Sequence, residues 1–315
     1  MEYAITVSGL RKSFQGKEVV KGIDLRVKKG ELFALLGPNG AGKTTTIHML
    51  TTLLRSDGGT AIVAGFDVAK QASEVRKRIS LTGQFAALDE GLSGSQNLEL
   101  IAKLSGYAAR AARTIAEDSL RSFGLWEARD QLVCNYSGGM RRRLDIAASI
   151  VTQPELIFLD EPTTGLDPQS RMQVWEVVRM LLAMGTTVLL TTQYLEEADQ
   201  LADRIAVIDQ GCIIAEGTPL QLKSTIGGKT LTVQLSQPVE KERITELLTS
   251  RSLDVFSDQH SLVYKLPVQE ARLANDIIQQ LLNHDIPIAY FTLDEPSLDE
   301  VFLVLTQTNE RKIMS

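Results

Sequence analysis

Two short stretches carry residues suited to phosphate chemistry. Gly37-Pro38-Asn39-Gly40-Ala41-Gly42-Lys43-Thr44 fits G-x-x-x-x-G-K-[ST] and lies between the apolar run FALL and a helical pattern. Glycines in such a turn let successive backbone N–H groups aim at phosphate oxygens, and the following helix adds the positive end of its dipole. Lys43 supplies a point charge to the outer phosphates, the Thr44 hydroxyl suits Mg²⁺, and Thr45 assists at the phosphates. The second stretch is the apolar run 156–159 leading into Asp160-Glu161. A buried strand there delivers two adjacent acids at its carboxyl end, where ligands bind in open α/β sheets. Neighbouring strand side chains point to opposite sides, so the acids divide the work. Asp160 is assigned to the metal or its water, and Glu161 to general-base polarisation of an attacking water.

The elements that must position these residues follow from periodicity. AITVSGL and GIDLRV alternate as strands, and ELFALLG reads as a buried strand. From about 89 to 148 the pattern turns helical, with i, i+3, i+4 spacing in SQNLELIAKLSGY and ARTIAEDSLRSFGL. After it, LIFLD, TTVLLTT and RIAVID are short β-branched runs separated by helical stretches such as PQSRMQVWEVVRMLLAMG. That alternation predicts an α/β core with a parallel sheet and crossover helices. STIGGK, at 224–229, reads as a linker, dividing the chain into 1–226 and 227–315. Beyond it, TLTVQLS, EKERITELLTSR, LDVFS, SLVYKLP, EARLANDIIQQLLNHD and IPIAYFTL give the order βαββαβ of a small ferredoxin-like α+β domain. In the last helix Leu298, Val301, Phe302 and Leu305 form a packing stripe, with Asp299 and Glu300 expected as surface charges.

Composition sets limits. The 315 residues suit one large and one small domain, and 33 Lys+Arg against 39 Asp+Glu, a formal charge of −6, argues against nucleic-acid binding. No apolar run approaches the ~18–20 residues that cross a bilayer. The start, MEYAITVSGLRKSF, has no secretory pattern, so a cytosolic location is expected. Cys134 and Cys212 match no metal or redox spacing and are expected to be reduced and semi-buried.

Between the two phosphate-directed stretches stands Tyr136-Ser137-Gly138-Gly139-Met140. With a Walker A at 37–45 and a Walker B at 156–161, it resembles the signature of ABC transporter ATP-binding subunits, over about residues 4–220. The resemblance implies an ABC cassette of the P-loop NTPase type: a RecA-like parallel core, an antiparallel β-subdomain and a helical insert. It implies ATP as ligand and substrate with Mg²⁺. Gln84 in LTGQ is similar to the Q-loop glutamine, which reaches nucleotide and metal. Asp167 in Gly165-Leu166-Asp167 resembles the D-loop, and Phe14 in KSFQGK the aromatic that stacks on adenine, although packing in the core stays open for Phe14. Ser137 and the two glycines open a helix and so form a second anion-binding terminus, which in this family caps the ATP held by another copy. A homodimer closed on two ATP molecules is therefore implied.

Two positions depart from the family pattern. Gln193, in TTQYLEEAD, stands where a histidine is usual; it can donate to a γ-phosphate yet cannot become cationic. Met140 replaces a glutamine, and Arg141, Arg142 and Arg143 after it are expected to be partly solvated, one of them pairing with a carboxylate. Both departures, with the tail PSLDEVFL, resemble the daunorubicin-resistance type, in which motor and permease are separate chains. That implies a peripheral subunit on the inner face of the membrane, held by integral-membrane permease subunits that alone contact the transported small molecule. The activity implied is ATP hydrolysis powering export of drugs or other hydrophobic compounds. The alternative is a soluble ABC ATPase acting on ribosomes or DNA, which one P-loop, no sustained heptads and a negative net charge disfavour.

Overall fold

Alternating apolar residues at the start of the chain form a long hairpin of β1 (Tyr3–Phe14) and β2 (Lys17–Lys28). The computed structural model describes residues 3–83, 87–225, 229–237, 256–257, 262–268, 271–294 and 297–314. These fall into two compact units, Met1–Thr218 and Pro219–Ser315.

In the first unit, β3 (Leu32–Leu36) enters the core and α1 (Lys43–Leu50) follows the glycine-rich turn. β4 (Gly58–Val63) and β5 (Phe66–Asp67) then join the hairpin in an antiparallel sheet of order β2-β1-β4-β5. Next come α2 (Ala72–Arg76) and β6 (Ile79–Thr82). The expected helical insert is α3 (Gly94–Leu104), α4 (Ala109–Ser122) and α5 (Gly138–Ser149). The start of α3 is fixed by a reciprocal cap, Gln96 N–H on the Ser93 hydroxyl and Ser93 N–H on the Gln96 side chain. On α4, Ala112, Ala116 and Leu120 recur every four residues and are the buried positions.

β7 (Leu156–Asp160), α6 (Pro168–Ala183), β8 (Thr187–Thr192), α7 (Leu195–Leu201), β9 (Arg204–Asp209) and β10 (Cys212–Gly217) complete the unit. The second sheet has the order β10-β9-β3-β8-β7-β6, parallel except at β10. Every residue of β3, β7 and β8 is buried, as a parallel sheet covered on both faces requires. Phe33 and Phe158 are fully buried, each worth about 2–3 kcal/mol of transfer free energy. They share one core with Ile5, Leu10 and Val63 of the antiparallel sheet, so the two sheets are packed as one body.

The second unit contains α8 (Pro219–Thr225), β11 (Lys229–Leu235), β12 (Phe256–Ser257), β13 (Val263–Val268), α9 (Ala271–Asn283), β14 (Ile288–Asp294) and α10 (Leu298–Met314). Its sheet order β12-β13-β11-β14, antiparallel throughout, is that of a ferredoxin-like domain. Ala274, Ile277, Ile278 and Leu281 of α9 pack with Leu231, Val233 and Leu266 of the sheet. The helix expected over EKERITELLTSR lies outside the described residues.

Two expectations fail here. Glu300 is no free surface charge: its Oε2 accepts from Thr230 Oγ1 at 2.8 Å and from Ser297 N–H at 3.2 Å, and its own N–H donates to Ser297 Oγ. A capping box thus ties the start of α10 to β11, because an acid at the third helical position can reach back to the cap. Cys134 and Cys212 are exposed, not semi-buried. Among the described residues, no helix is long and apolar enough to cross a membrane.

Candidate functional site

Strand order brings the chemistry together. β8 lies between β3 and β7, with Thr192 opposite Leu36 and Thr191 opposite Asp160. All three strands are parallel, so the glycine-rich turn after β3, the acids at the end of β7 and Gln193 after β8 leave the sheet at one edge. Gly37 N–H donates to the Thr192 carbonyl at 3.2 Å and Glu161 N–H to the Thr191 carbonyl at 3.1 Å, which fixes both turns to β8.

Within residues 37–45, Gly37, Ala41 and Gly42 are buried while Pro38, Asn39 and Gly40 are exposed at the tip. A Cβ on Gly37 would overlap the Ile208 carbonyl oxygen of β9, so only glycine fits where the loop leaves the strand. Gly42 caps α1, whose first hydrogen bond runs from Thr46 N–H to the Gly42 carbonyl. The amides of the first turn, including those of Lys43, Thr44 and Thr45, therefore precede any helical acceptor and remain available to an anion. Lys43 is 3% exposed. Its Nζ donates to the Gly37 and Pro38 carbonyls at 2.8 and 3.1 Å and lies 3.2 Å from Glu161 Oε1.

Asp160 Oδ1 receives hydrogen bonds from Thr44 Oγ1 at 3.3 Å and Thr191 Oγ1 at 2.5 Å. Glu161 turns away from the strand with φ +49°, a left-handed conformation unfavourable for a residue with a Cβ. It is this turn, more than the alternation expected along a strand, that separates the two acids. Glu161 Oε2 accepts from Thr164 Oγ1 at 3.1 Å. Glu161 also lines a cleft of about 750 Å³ with Asn39, Gln193, Leu166 and Gly138.

Arg142 corrects the expectation of solvated arginines. It is buried, with Nε on the Pro162 carbonyl at 2.9 Å, Nη2 on the Asp160 carbonyl at 3.3 Å and Nη1 on the Gly83 carbonyl at 2.6 Å. The carboxylate partner is Asp145, at 3.4 Å, itself buried and accepting from Ala87 N–H at 3.1 Å. Burial pushes the Asp145 carboxyl above its ordinary range, and Arg142 and the Ala87 amide pull against that. The flanking arginines are half-buried: Arg141 pairs with Glu90 at 2.9 Å and Arg143 donates to the Phe123 carbonyl at 3.0 Å.

Ser137 caps α5, its hydroxyl accepting from Met140 N–H at 3.2 Å, with Ser137 and Gly138 exposed. Gly139 is buried, and a Cβ there would lie 2.5 Å from Ser170 Oγ and 2.6 Å from Ser170 Cβ on α6. Close helix contact therefore demands the second glycine. Asp167 caps α6, accepting from Ser170 N–H at 2.9 Å and Ser170 Oγ at 2.6 Å, contacts that hold its carboxyl below the usual range. Phe14 is 45% exposed at the end of the β1–β2 hairpin, so it is not a core residue, and it does not line the cleft. Gln84 lies outside the described residues.

Sequence reasoning missed Thr191, Thr164, Arg142 and Glu197. Glu197 of α7 is fully buried and its Oε1 accepts from Thr163 Oγ1 at 2.9 Å and Trp175 Nε1 at 3.2 Å. Burial pushes its carboxyl up.

Known proteins are similar to this chain in sequence and fold. The family model for ABC transporters matches residues 20–164, and that for the C-terminal domain of DrrA1-3-like ATP-binding proteins matches 217–306. The daunorubicin/doxorubicin resistance ATP-binding protein DrrA of Streptomyces peucetius is 52% identical, covering 96% of this chain and 92% of that one. The linearmycin resistance ATP-binding protein LnrL of Bacillus subtilis is 37% identical over 96% and 98% of the two chains. A solved ATP-binding subunit of an ABC transporter superposes with a TM-score of 0.63 at 26% identity, covering 71% of this chain and 93% of its own. Identity near one half over almost the full length of both chains places this protein among the ABC transporter ATP-binding subunits of the daunorubicin-resistance type, which bind and hydrolyse ATP.

Proposed function

We propose that the chain is the motor of an exporter: it hydrolyses ATP between two copies of itself and drives a separate permease that carries drugs or other hydrophobic compounds. The observation that supports this best is the convergence of Lys43, Thr44, Asp160, Glu161 and Gln193 on the edge formed by β3, β7 and β8. The resistance names of the relatives favour export over action on ribosomes or DNA.

In this reading the first-turn amides of α1 and the Lys43 ammonium bind the β- and γ-phosphates, and the exposed Phe14 ring takes the adenine. Thr44 and Asp160 bring a hydroxyl and a carboxylate within 3.3 Å, a pair of hard oxygens that fits Mg²⁺ completed by phosphate and water. Bound there, Mg²⁺ would neutralise charge on the β- and γ-phosphates. Glu161, oriented by Thr164, polarises the attacking water, and Gln193 donates to the γ-phosphate. Ser137, Gly138 and the α5 amides of a second copy cap the same nucleotide, giving a two-fold dimer around two ATP molecules. Asp167 lies beside that interface. The motor reaches the inner face of the membrane through the permease, which alone contacts the cargo.

Glu161→Gln tests the reading. Turnover should be lost while ATP and Mg²⁺ drive the protein into a stable dimer on size exclusion, and undiminished turnover would remove Glu161 from its role.

A further inference from the structure

We propose that Arg142 is a positioning residue for hydrolysis, holding the Glu161 turn by gripping the carbonyls on either side of it. Its Nε donates to the Pro162 carbonyl at 2.9 Å and its Nη2 to the Asp160 carbonyl at 3.3 Å. Between them Glu161 sits at φ +49°, a conformation that a residue with a Cβ keeps only where its surroundings impose it. A planar guanidinium has donors at fixed angles and can span two carbonyls, whereas an ammonium is a single point charge. Arg142 is itself held, by Asp145 at 3.4 Å and by the Gly83 carbonyl at 2.6 Å. Asp145 in turn takes the Ala87 amide at 3.1 Å. Arg142 and its partner Asp145 therefore join the Glu161 turn, α5, Gly83 and Ala87.

No nucleotide contact by Arg142 is invoked; it acts through Glu161, so the inference rests on Glu161 as the base. Arg142→Lys preserves the charge beside Asp145 and loses the fork. In the purified full-length chain it should lower kcat by about tenfold or more, with KM for ATP and affinity for a fluorescent ATP analogue held within about twofold. Single-turnover hydrolysis in a Glu161→Gln background discriminates further. There Arg142→Lys should cost less than about twofold, because the group it positions is already disabled. Where Arg142→Lys does not fold, Arg142→Gln/Asp145→Asn removes both buried charges together and is read the same way. An unchanged kcat, a proportionate rise in KM, or equal losses in both backgrounds would each overturn the role of Arg142. Retained turnover in Glu161→Gln alone strikes instead at the base assignment, so the two failures are distinguishable.

Discussion

Replacing Lys43 by alanine removes an ammonium 3.2 Å from Glu161, in a pair whose side chains are only 3% and 7% exposed. The Glu161 carboxylate is left with the Thr164 hydroxyl, and an uncompensated buried charge costs about 3–5 kcal/mol. Glu161→Gln takes the other charge away. Lys43 then keeps the Gly37 and Pro38 carbonyls at 2.8 and 3.1 Å, so the loss should be about 1–2 kcal/mol. Independent effects would bring the double variant to about 4–7 kcal/mol. With neither charge orphaned, it should instead lose only about 2–3 kcal/mol, a coupling near 3 kcal/mol. The sequence contains two tryptophans, Trp126 and Trp175, both in the first unit, so urea unfolding followed by fluorescence reports that unit alone. Additive losses would refute the pair as an energetic unit. In the proposed site Lys43 would be shared between Glu161 and a bound phosphate, so Glu161→Gln should tighten ATP by up to about tenfold, or ~1.4 kcal/mol.

Gly139→Ala places a methyl 2.5–2.6 Å from Ser170, and overpacking of this kind should destabilise the protein by about 1–3 kcal/mol; adding Ser170→Gly should recover part of the melting temperature, and no recovery would locate the clash elsewhere. Glu197 has its carboxyl pushed above the ordinary glutamate value of 4.5 by burial, so folding retains a proton that the unfolded chain releases. That penalty is absent below pH 4.5 and grows as pH rises towards the folded value; Glu197→Gln, which cannot ionise, should gain stability relative to the parent over that window, and a pH-independent difference in urea midpoint would contradict it. Gln193→His should raise hydrolysis a few-fold and introduce a pH dependence near the ordinary histidine value of about 6.5; an unchanged rate and profile would show that residue 193 does not limit the reaction.

Residues that act through contiguous backbone were legible in the sequence. The turn at 37–45 and the acids at the end of β7 are local patterns, and the alternation of strands and helices sufficed to place them on one edge of a parallel sheet. The strands of the second unit and its helix at Ala271–Asn283 were equally legible, because each of these elements carries its own period. What escaped depends on contacts far apart in the chain. Thr191 meets Asp160 across 31 positions, and Arg142 meets the Asp160 and Pro162 carbonyls across 18 and 20. A run of three arginines reads as solvated because helical phase alone does not reveal that the middle one faces a turn left open by another strand. In the sequence Gly139 reads as part of an anion-binding helix start, and only the approach of Ser170 gives it a packing reason as well. Glu300 was similarly misjudged, since its partner Thr230 stands 70 residues away.

One helix therefore serves two sites in the proposed dimer. The N-terminus of α5 presents Ser137 and Gly138 outward to the partner's nucleotide, while Arg142, one turn further on, grips the Glu161 turn of its own chain. Gly139 lies against Ser170, whose amide and hydroxyl bind Asp167, so Asp167 shares that seat. A helix cannot shift one end without carrying the other, so docking of α5 on the partner's ATP has a direct mechanical route to the base of the opposite site. Measured in heterodimers with one Arg142→Lys subunit, the lost turnover should belong to the site whose Glu161 that subunit supplies, with ATP affinity at both sites held within about twofold; losses shared equally by the two sites would refute the assignment of Arg142 to its own chain's turn.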